Sequence, residues 1–460
     1  MTPTEGPGPA SGKLSVPPRL GYGLGDLGFL IVWQTVALFL LYYYTDVLGL
    51  APWLAGGIFL VALVWDAVSD PVVAAWAERR AVRTGRYAPI MTGAALPVGI
   101  SFALMFTAPF SGTVPAAAWA LATHLAFRTA FTFASMPYNT LPARLTQNTD
   151  ERSTLAGLRV AGAALGGLLA ALVLPLVVQA AGAGREGLGY GLAALCAGGL
   201  SAGLLLACSR MVREPARAAT GTPDTTPSLR ADLAELSRSV GRNAPLRQLL
   251  ALMACGTIGY GLFTHAMVYF LTHRLDRADL VAPTLALSAL AVLVCAPLWS
   301  LLAQHLSKRS VLTAGLVVTT AGYAGLGVVP AGAPAGLLLT VGVIGGGSAA
   351  IPVMLWSMLP DAIDYGQSRS GRRIEARTFG LTTFVQKCAA GLTGLLAGGL
   401  LSLSGYVAEA PPAGALAAIT GMTAWLPAGF MLAGLAVMWG YPIDRARHRA
   451  ILASITHSDA

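Results

Sequence analysis

The stretch Ala62-Leu63-Val64-Trp65-Asp66-Ala67-Val68-Ser69-Asp70-Pro71 sets two carboxylates four residues apart inside an otherwise apolar run. At about 1.5 Å of rise and 100° of turn per residue, positions i and i+4 stack on one helix face, about 6 Å apart along the axis. A carboxylate at the centre of a bilayer costs on the order of 3 kcal/mol even on the lenient insertion scale, so two on one face need a partner. The functional reading of that partner is a mobile monovalent cation. The plain alternative is a static ion network that fixes helix packing.

The rest of the composition agrees with a bilayer setting. Of 460 residues, 55% are hydrophobic and 11% charged, more apolar surface than a soluble fold of that length hides. The chain reads as an all-α, polytopic membrane protein whose surroundings are the lipid bilayer. Its five cysteines, Cys196, Cys208, Cys255, Cys295 and Cys388, fall in apolar segments without metal-ligand spacing, which predicts neither a disulfide framework nor a structural metal. The net charge of +9 sits in short loops between apolar runs, a pattern that orients a protein in its membrane and predicts no nucleic-acid partner. No HExxH, no P-loop and no GxSxG beside a His/Asp pair is present, so neither an enzyme nor a cofactor is expected.

At about 20 apolar residues per span, twelve transmembrane helices are predicted: 21–47, 53–77, 88–109, 115–139, 154–181, 188–209, 246–272, 280–304, 309–330, 334–359, 376–404 and 419–442. Residues 1–20 form a tail rich in Pro, Gly, Ser and Thr, expected to be disordered and not a cleaved signal, since the first apolar run is long and lacks an Ala-x-Ala site. Of the 30 Lys and Arg, 24 fall on the side of both termini, three on the other (Arg185, Arg274, Arg277) and three inside helices (Arg128, Arg159, Lys387). Both termini are therefore expected to be cytoplasmic. The longest hydrophilic stretch divides the chain into a six-helix bundle at 21–210, a cytoplasmic linker at 211–245, a second bundle at 246–443 and a tail at 444–460. Within the linker, Ser228–Arg242 carries an apolar stripe at helical spacing. Two such bundles are the pattern of transporters that rock around a midplane site. Glycines cluster in the fifth span (Gly157, Gly162, Gly166, Gly167) and the eleventh (Gly391, Gly394, Gly398, Gly399), which predicts close helix packing and an internal repeat.

Three acids (Asp26, Asp66, Asp70) face three bases (Arg128, Arg159, Lys387) inside the predicted helices. Two ionised carboxylates on one face repel, so the Asp66/Asp70 pair is expected to hold a proton, to lean on Lys387 or Arg159, or to take up a cation. Lys387, Arg159 and Asp26 form the expected charge network. Candidates for lining a substrate cavity are Gln34, Arg128, Ser135, Tyr138, Tyr260, His265, Trp356 and Thr383.

Several runs resemble the glycoside-pentoside-hexuronide:cation symporter family: Gly21-Tyr22-Gly23-Leu24-Gly25-Asp26-Leu27-Gly28-Phe29, Tyr42 to Leu50, Trp65 to Pro71, Arg83 to Tyr87, Leu359-Pro360-Asp361-Ala362-Ile363-Asp364-Tyr365-Gly366 and Gln386-Lys387. The resemblance implies the major facilitator fold and alternating-access symport of a sugar or glycoside with sodium or proton. It also implies a bacterial inner-membrane location and a monomer. It places a cation site on Asp66, Asp70, Ser69 and Thr132, with sodium as the candidate metal at Asp66 and Asp70 and Lys387 as the neighbouring base. The family's galactoside carriers have Asn where this chain has Ser69, and carboxylates where it has Leu30 and Ser135. Ser69 is a weaker fit to a sodium cage and keeps the proton open, Leu30 and Ser135 argue against a galactoside, and the lysophospholipid transporters of the same superfamily branch raise a second expectation, an amphipathic or lysolipid-like solute.

Overall fold

The long apolar runs fold as helices because backbone N–H and C=O groups in hydrocarbon must be satisfied within the segment. A computed structural model describes residues 14–146, 149–181, 184–212, 214, 240–330, 332–370, 375–444, 447–448 and 450–451. Residues 1–13, most of the 211–245 linker including 228–239, and 452–460 lie outside the described residues.

Among the described residues all regular structure is helical. The elements are α1 (Val16–Thr35), α2 (Pro52–Thr84), α3 (Ala88–Met105), α4 (Thr113–Leu145), α5 (Thr149–Ala181), α6 (Glu186–Met211), α7 (Ala244–Tyr269), α8 (Val281–His305), α9 (Lys308–Val328), α10 (Pro334–Ser348), α11 (Ala350–Ser370), α12 (Glu375–Leu403), α13 (Ala413–Thr420) and α14 (Leu426–Trp439). α10 and α11 together make one span, as do α13 and α14, so the fourteen helices give the twelve crossings of the major facilitator fold. Eleven of these spans are long and apolar enough to cross a bilayer on hydropathy alone; the remaining one is α4, which carries His124 and Arg128 along its length.

Helix ends depart from the predicted spans in both directions: α3, α9 and α14 stop short of theirs, at Met105, Val328 and Trp439, while others run past them. α1 starts at Val16 rather than 21, with Pro17 and Pro18 in its first turn, where a missing N–H costs nothing. α2, α4 and α11 run on to Thr84, Leu145 and Ser370 instead of stopping at 77, 139 and 359. Hydropathy reports the portion of a helix in hydrocarbon, whereas the hydrogen-bonded ladder continues through the Arg-bearing turns beyond it.

The chain divides into two compact units. One holds Met1–Thr220 with Asp279–Ala286 and Leu401–Ala410; the other holds Gly221–Ala278, Leu287–Leu400 and Pro411–Ala460. In the first, α1 packs along α5 at backbone contact. A Cβ on Gly166 would stand 2.7 Å from the Leu27 carbonyl, and one on Gly162 would collide with the Gly23 carbonyl. The expected glycine packing is therefore present in the fifth span, but Gly399 of the eleventh has nothing within 4 Å of its Cβ position.

The better mark of a repeat is the way the first helix of each unit ends. α1 widens into π turns at Val36–Leu40 and Tyr43–Val47, and α7 into one at Phe270–Arg274. Leu48 N–H donates to the Tyr43 carbonyl (2.9 Å) and Leu50 N–H to Tyr44 (2.9 Å); Leu275 N–H donates to Phe270 (3.0 Å) and Arg277 N–H to Leu271 (2.8 Å). The residue between each pair of donors has positive φ, Gly49 at 66° and Asp276 at 53°.

The α1–α5 contact is directly testable. Gly162→Val is expected to lower stability by about 1–3 kcal/mol through overpacking. Gly157→Val, whose Cβ position has nothing within 4 Å, should leave the thermal unfolding midpoint of the detergent-solubilised protein unchanged.

Candidate functional site

The site is built on α2 and α4 of the first unit. The two helices run side by side in the same direction: Phe59 meets His124, Trp65 meets Thr129, Asp70 meets Thr132 and Trp76 meets Phe133. Residues four apart on α2 therefore face residues four apart on α4.

Asp66 and Arg128 form an ion pair, with side chains 6% and 12% exposed. One turn further, Thr132 Oγ1 donates to Asp70 Oδ1 at 2.8 Å, with the Arg128 carbonyl as a second acceptor at 3.0 Å. On α1, Trp33 lies flat beneath the guanidinium, whose carbon is 4.6 Å from the ring centroid. Trp65 Nε1 donates to Thr129 Oγ1 at 2.8 Å and pins α2 to α4 beside the pair. Ser69 Oγ and Arg128 Nε are buried without a hydrogen-bond partner among the described residues.

A second pair lies between α1 and α5. Arg159 Nε is 3.2 Å from Asp26 Oδ1, and its guanidinium rests 5.5 Å from the Tyr138 ring centroid. Tyr138 Oη donates to the Tyr22 carbonyl at 2.7 Å, and the two rings stack at 4.6 Å.

The structure places three of the candidates. Arg159 pairs with Asp26, two members of the expected charge network. Arg128, read as a cavity residue, is the base on Asp66. Tyr138, another cavity candidate, is 1% exposed and fixed in the α1–α4–α5 packing. The α2–α4 register carries the missing signal: once Thr132 is set against Asp70, the residue one turn earlier on α4 faces the residue one turn earlier on α2. Trp33, whose ring closes over the guanidinium, was not among the candidates.

Gln34 on α1 and Ser135 on α4 are half-buried in the first unit. Leu30 lies against α5, its Cβ 3.0 Å from the Cβ position of Gly166. The other candidates belong to the second unit. Lys387 is half-buried on α12 and His265 is 6% exposed on α7, which also carries Tyr260. Trp356 of α11 stacks on Phe379 of α12 at 6.1 Å, and Thr383 is exposed, its hydroxyl donating to the Phe379 carbonyl at 3.1 Å.

Twelve helical crossings with charge pairs held inside an apolar bundle define a secondary transporter of the major facilitator type. The family of MFS/sugar transport proteins matches residues 21–445, and the chain belongs to it, among the glycoside-pentoside-hexuronide:cation symporters, as a multi-pass protein of the inner membrane. The inner membrane symporter YicJ of Escherichia coli K12 is 28% identical over 396 residues, 85% of this chain and 84% of that protein. The isoprimeverose transporter of Lactiplantibacillus pentosus is 27% identical over 437 residues, 93% of this chain and 88% of that one. Among solved structures, the inward-open xylose transporter XylE of E. coli shares the fold at a TM-score of 0.66 and 14% identity, covering 93% of this chain and 96% of its own.

Removing one partner of a buried pair strands the other. Arg128→Met is expected to destabilise the protein by about 3–5 kcal/mol in sodium-free buffer. Arg159→Met strands Asp26, whose side chain is 7% exposed, and is expected to cost about 1–3 kcal/mol, less than Arg128→Met because the Arg159 side chain is itself 43% exposed. Thermal unfolding of both variants beside the parent checks the order.

Proposed function

We propose that this symporter imports a sugar or glycoside across the inner membrane, both termini facing the cytoplasm, with the α2 acid pair as its coupling element. The observation that carries the reading is the placement of Asp66 and Asp70 on one face of α2, against a base and a hydroxyl of α4, in a bundle where an ionised group is retained only at a cost. Asp70, with the Thr132 hydroxyl on it and Ser69 Oγ beside it on the helix, is the carboxylate that meets the coupling cation. Membership among cation symporters supports sodium or the proton in that role. The name of the isoprimeverose transporter supports a glycosidic substrate, and Leu30 and Ser135, which offer no carboxylate to sugar hydroxyls, support one other than a galactoside. No relative reported above carries a name that favours a lysolipid-like solute. The carrier is proposed to work as a monomer, by rocking of the bundles 21–210 and 246–443 about their 211–245 connection.

The test is uptake of radiolabelled isoprimeverose, and of a panel of pentosides, hexosides and hexuronides, into vesicles of purified protein under an imposed sodium or proton gradient. Uphill accumulation of one of them is expected under at least one gradient, with Asp70→Asn lowering it roughly tenfold or more. Accumulation indifferent to both gradients, or unaltered by Asp70→Asn, overturns the reading.

A further inference from the structure

The run Tyr42 to Leu50 is not used by the site on α2 and α4. It ends α1 on the membrane face opposite both termini, the periplasmic face in the orientation proposed above. Its acid, Asp46, is half-buried in the second π turn, and both carboxylate oxygens are bonded. Thr45 Oγ1 donates to Oδ2 at 2.6 Å, and Tyr406 Oη donates to Oδ1 at 2.6 Å. That length is typical of an O–H donor on an ionised carboxylate. Tyr406 is itself buried, and the backbone aims it. α12 closes in a Schellman cap, with Tyr406 N–H donating to the Leu401 carbonyl, Gly405 N–H donating to Ser402 (both 3.1 Å) and Gly405 at φ 69°.

Asp46 and Tyr406 are 360 positions apart, in opposite halves of the sequence, yet they share one compact unit. Leu401–Ala410 and Asp279–Ala286 are the pieces of the second half that belong to the first unit, while the adjoining residues of α12 and α8, up to Leu400 and from Leu287, belong to the other. Both pieces lie where a helix reaches the periplasmic face. The ion pairs Arg19–Glu151 and Arg144–Glu214 instead join residues of the first half, and Lys308–Asp361 joins residues of the second. If the halves rock against each other, these two periplasmic pieces have to let go. A hydrogen bond to a half-buried carboxylate suits that cycle, because water takes the place of the phenol when it leaves.

We propose that the Asp46–Tyr406 bond is the latch of the periplasmic gate: made, it holds the 401–410 loop on the end of α1, and the carrier opens to the periplasm by breaking it. The Schellman cap and the π turn are the two rigid jaws, and the phenol and carboxylate are the releasable part. This inference rests on the transport reading above for its purpose, but its test needs no substrate and no gradient. Failure of the uptake experiment and failure of this one are thus separate results.

The experiment measures a distance in purified full-length protein in lipid nanodiscs. The exposed residues Trp53, in the first turn of α2, and Val407 are each replaced by p-acetylphenylalanine. Its ketone takes a spin label and leaves the native cysteines untouched, and double electron-electron resonance reads the spacing. The parent is expected to give one predominant short distance. Tyr406→Phe, which removes a single hydroxyl, is expected to raise the ratio of a longer distance to the short one at least roughly tenfold. Asp46→Asn should shift it in the same direction, and adding Tyr406→Phe to Asp46→Asn should shift it no further, because both remove one bond. An unchanged distance distribution in Tyr406→Phe overturns the proposal. So does a parent in which the longer distance predominates, or a double variant whose shift multiplies those of the single ones. If Asp46→Asn does not fold, Tyr406→Phe decides alone.

Discussion

The first unit is governed by one constraint: hydrocarbon supplies no counter-ions, so each charge placed there must bring its own. Asp26 on α1 is answered by Arg159 on α5, and Asp66 on α2 by Arg128 on α4. Both bases are arginines, whose delocalised and weakly hydrated guanidinium lies against aromatic faces while it holds a carboxylate. Tyr138 takes that part for Arg159 and Trp33 for Arg128. The pairs link different helices, so the neutralisation of charge and the choice of helix neighbours are one problem with one solution. Asp70 differs from its two fellow acids in that the α4 group bonded to it is a neutral hydroxyl.

That difference depends on register. α2 and α4 are both 33 residues long, run in the same direction and meet at Phe59 with His124, Trp65 with Thr129 and Trp76 with Phe133. A slip of one residue along either helix would swing its contacts by about 100° and separate all of these partners at once. The aromatic contacts on both sides of the charged turn therefore hold the charges in place, and the charges reward that same alignment.

Much of this was legible in the sequence. Twelve apolar runs, the Lys and Arg asymmetry and the Asp66–Asp70 spacing are one-dimensional signals, and they led to the helical architecture and to the charged turn of α2. Pairing is not such a signal. Arg128, Arg159 and Lys387 are indistinguishable as single basic residues in apolar runs, and only the packing of α1 on α5 and of α2 on α4 assigns two of them. Tyr138 meets the same limit: a tyrosine in a transporter helix looks the same in sequence whether its hydroxyl lines a cavity or, as here, bonds the Tyr22 carbonyl of α1. The ends of α2, α4 and α11 were underestimated because hydropathy falls at the membrane surface while the backbone ladder continues. Gly399 of the eleventh span shows the opposite failure, since a small residue permits close approach without enforcing it, and nothing lies within 4 Å of its Cβ position.

The terminations of α1 and α7 carry a different kind of information. The same pair of long-reach bonds closes both helices around a left-handed residue, yet the side chain there is hydrogen in one copy and a carboxylate in the other. Asp is among the few L-residues that tolerate this geometry, so the backbone path has been kept while the chemistry hung on it diverged. The two halves therefore behave as duplicated scaffolds whose conserved property is the trajectory of the chain.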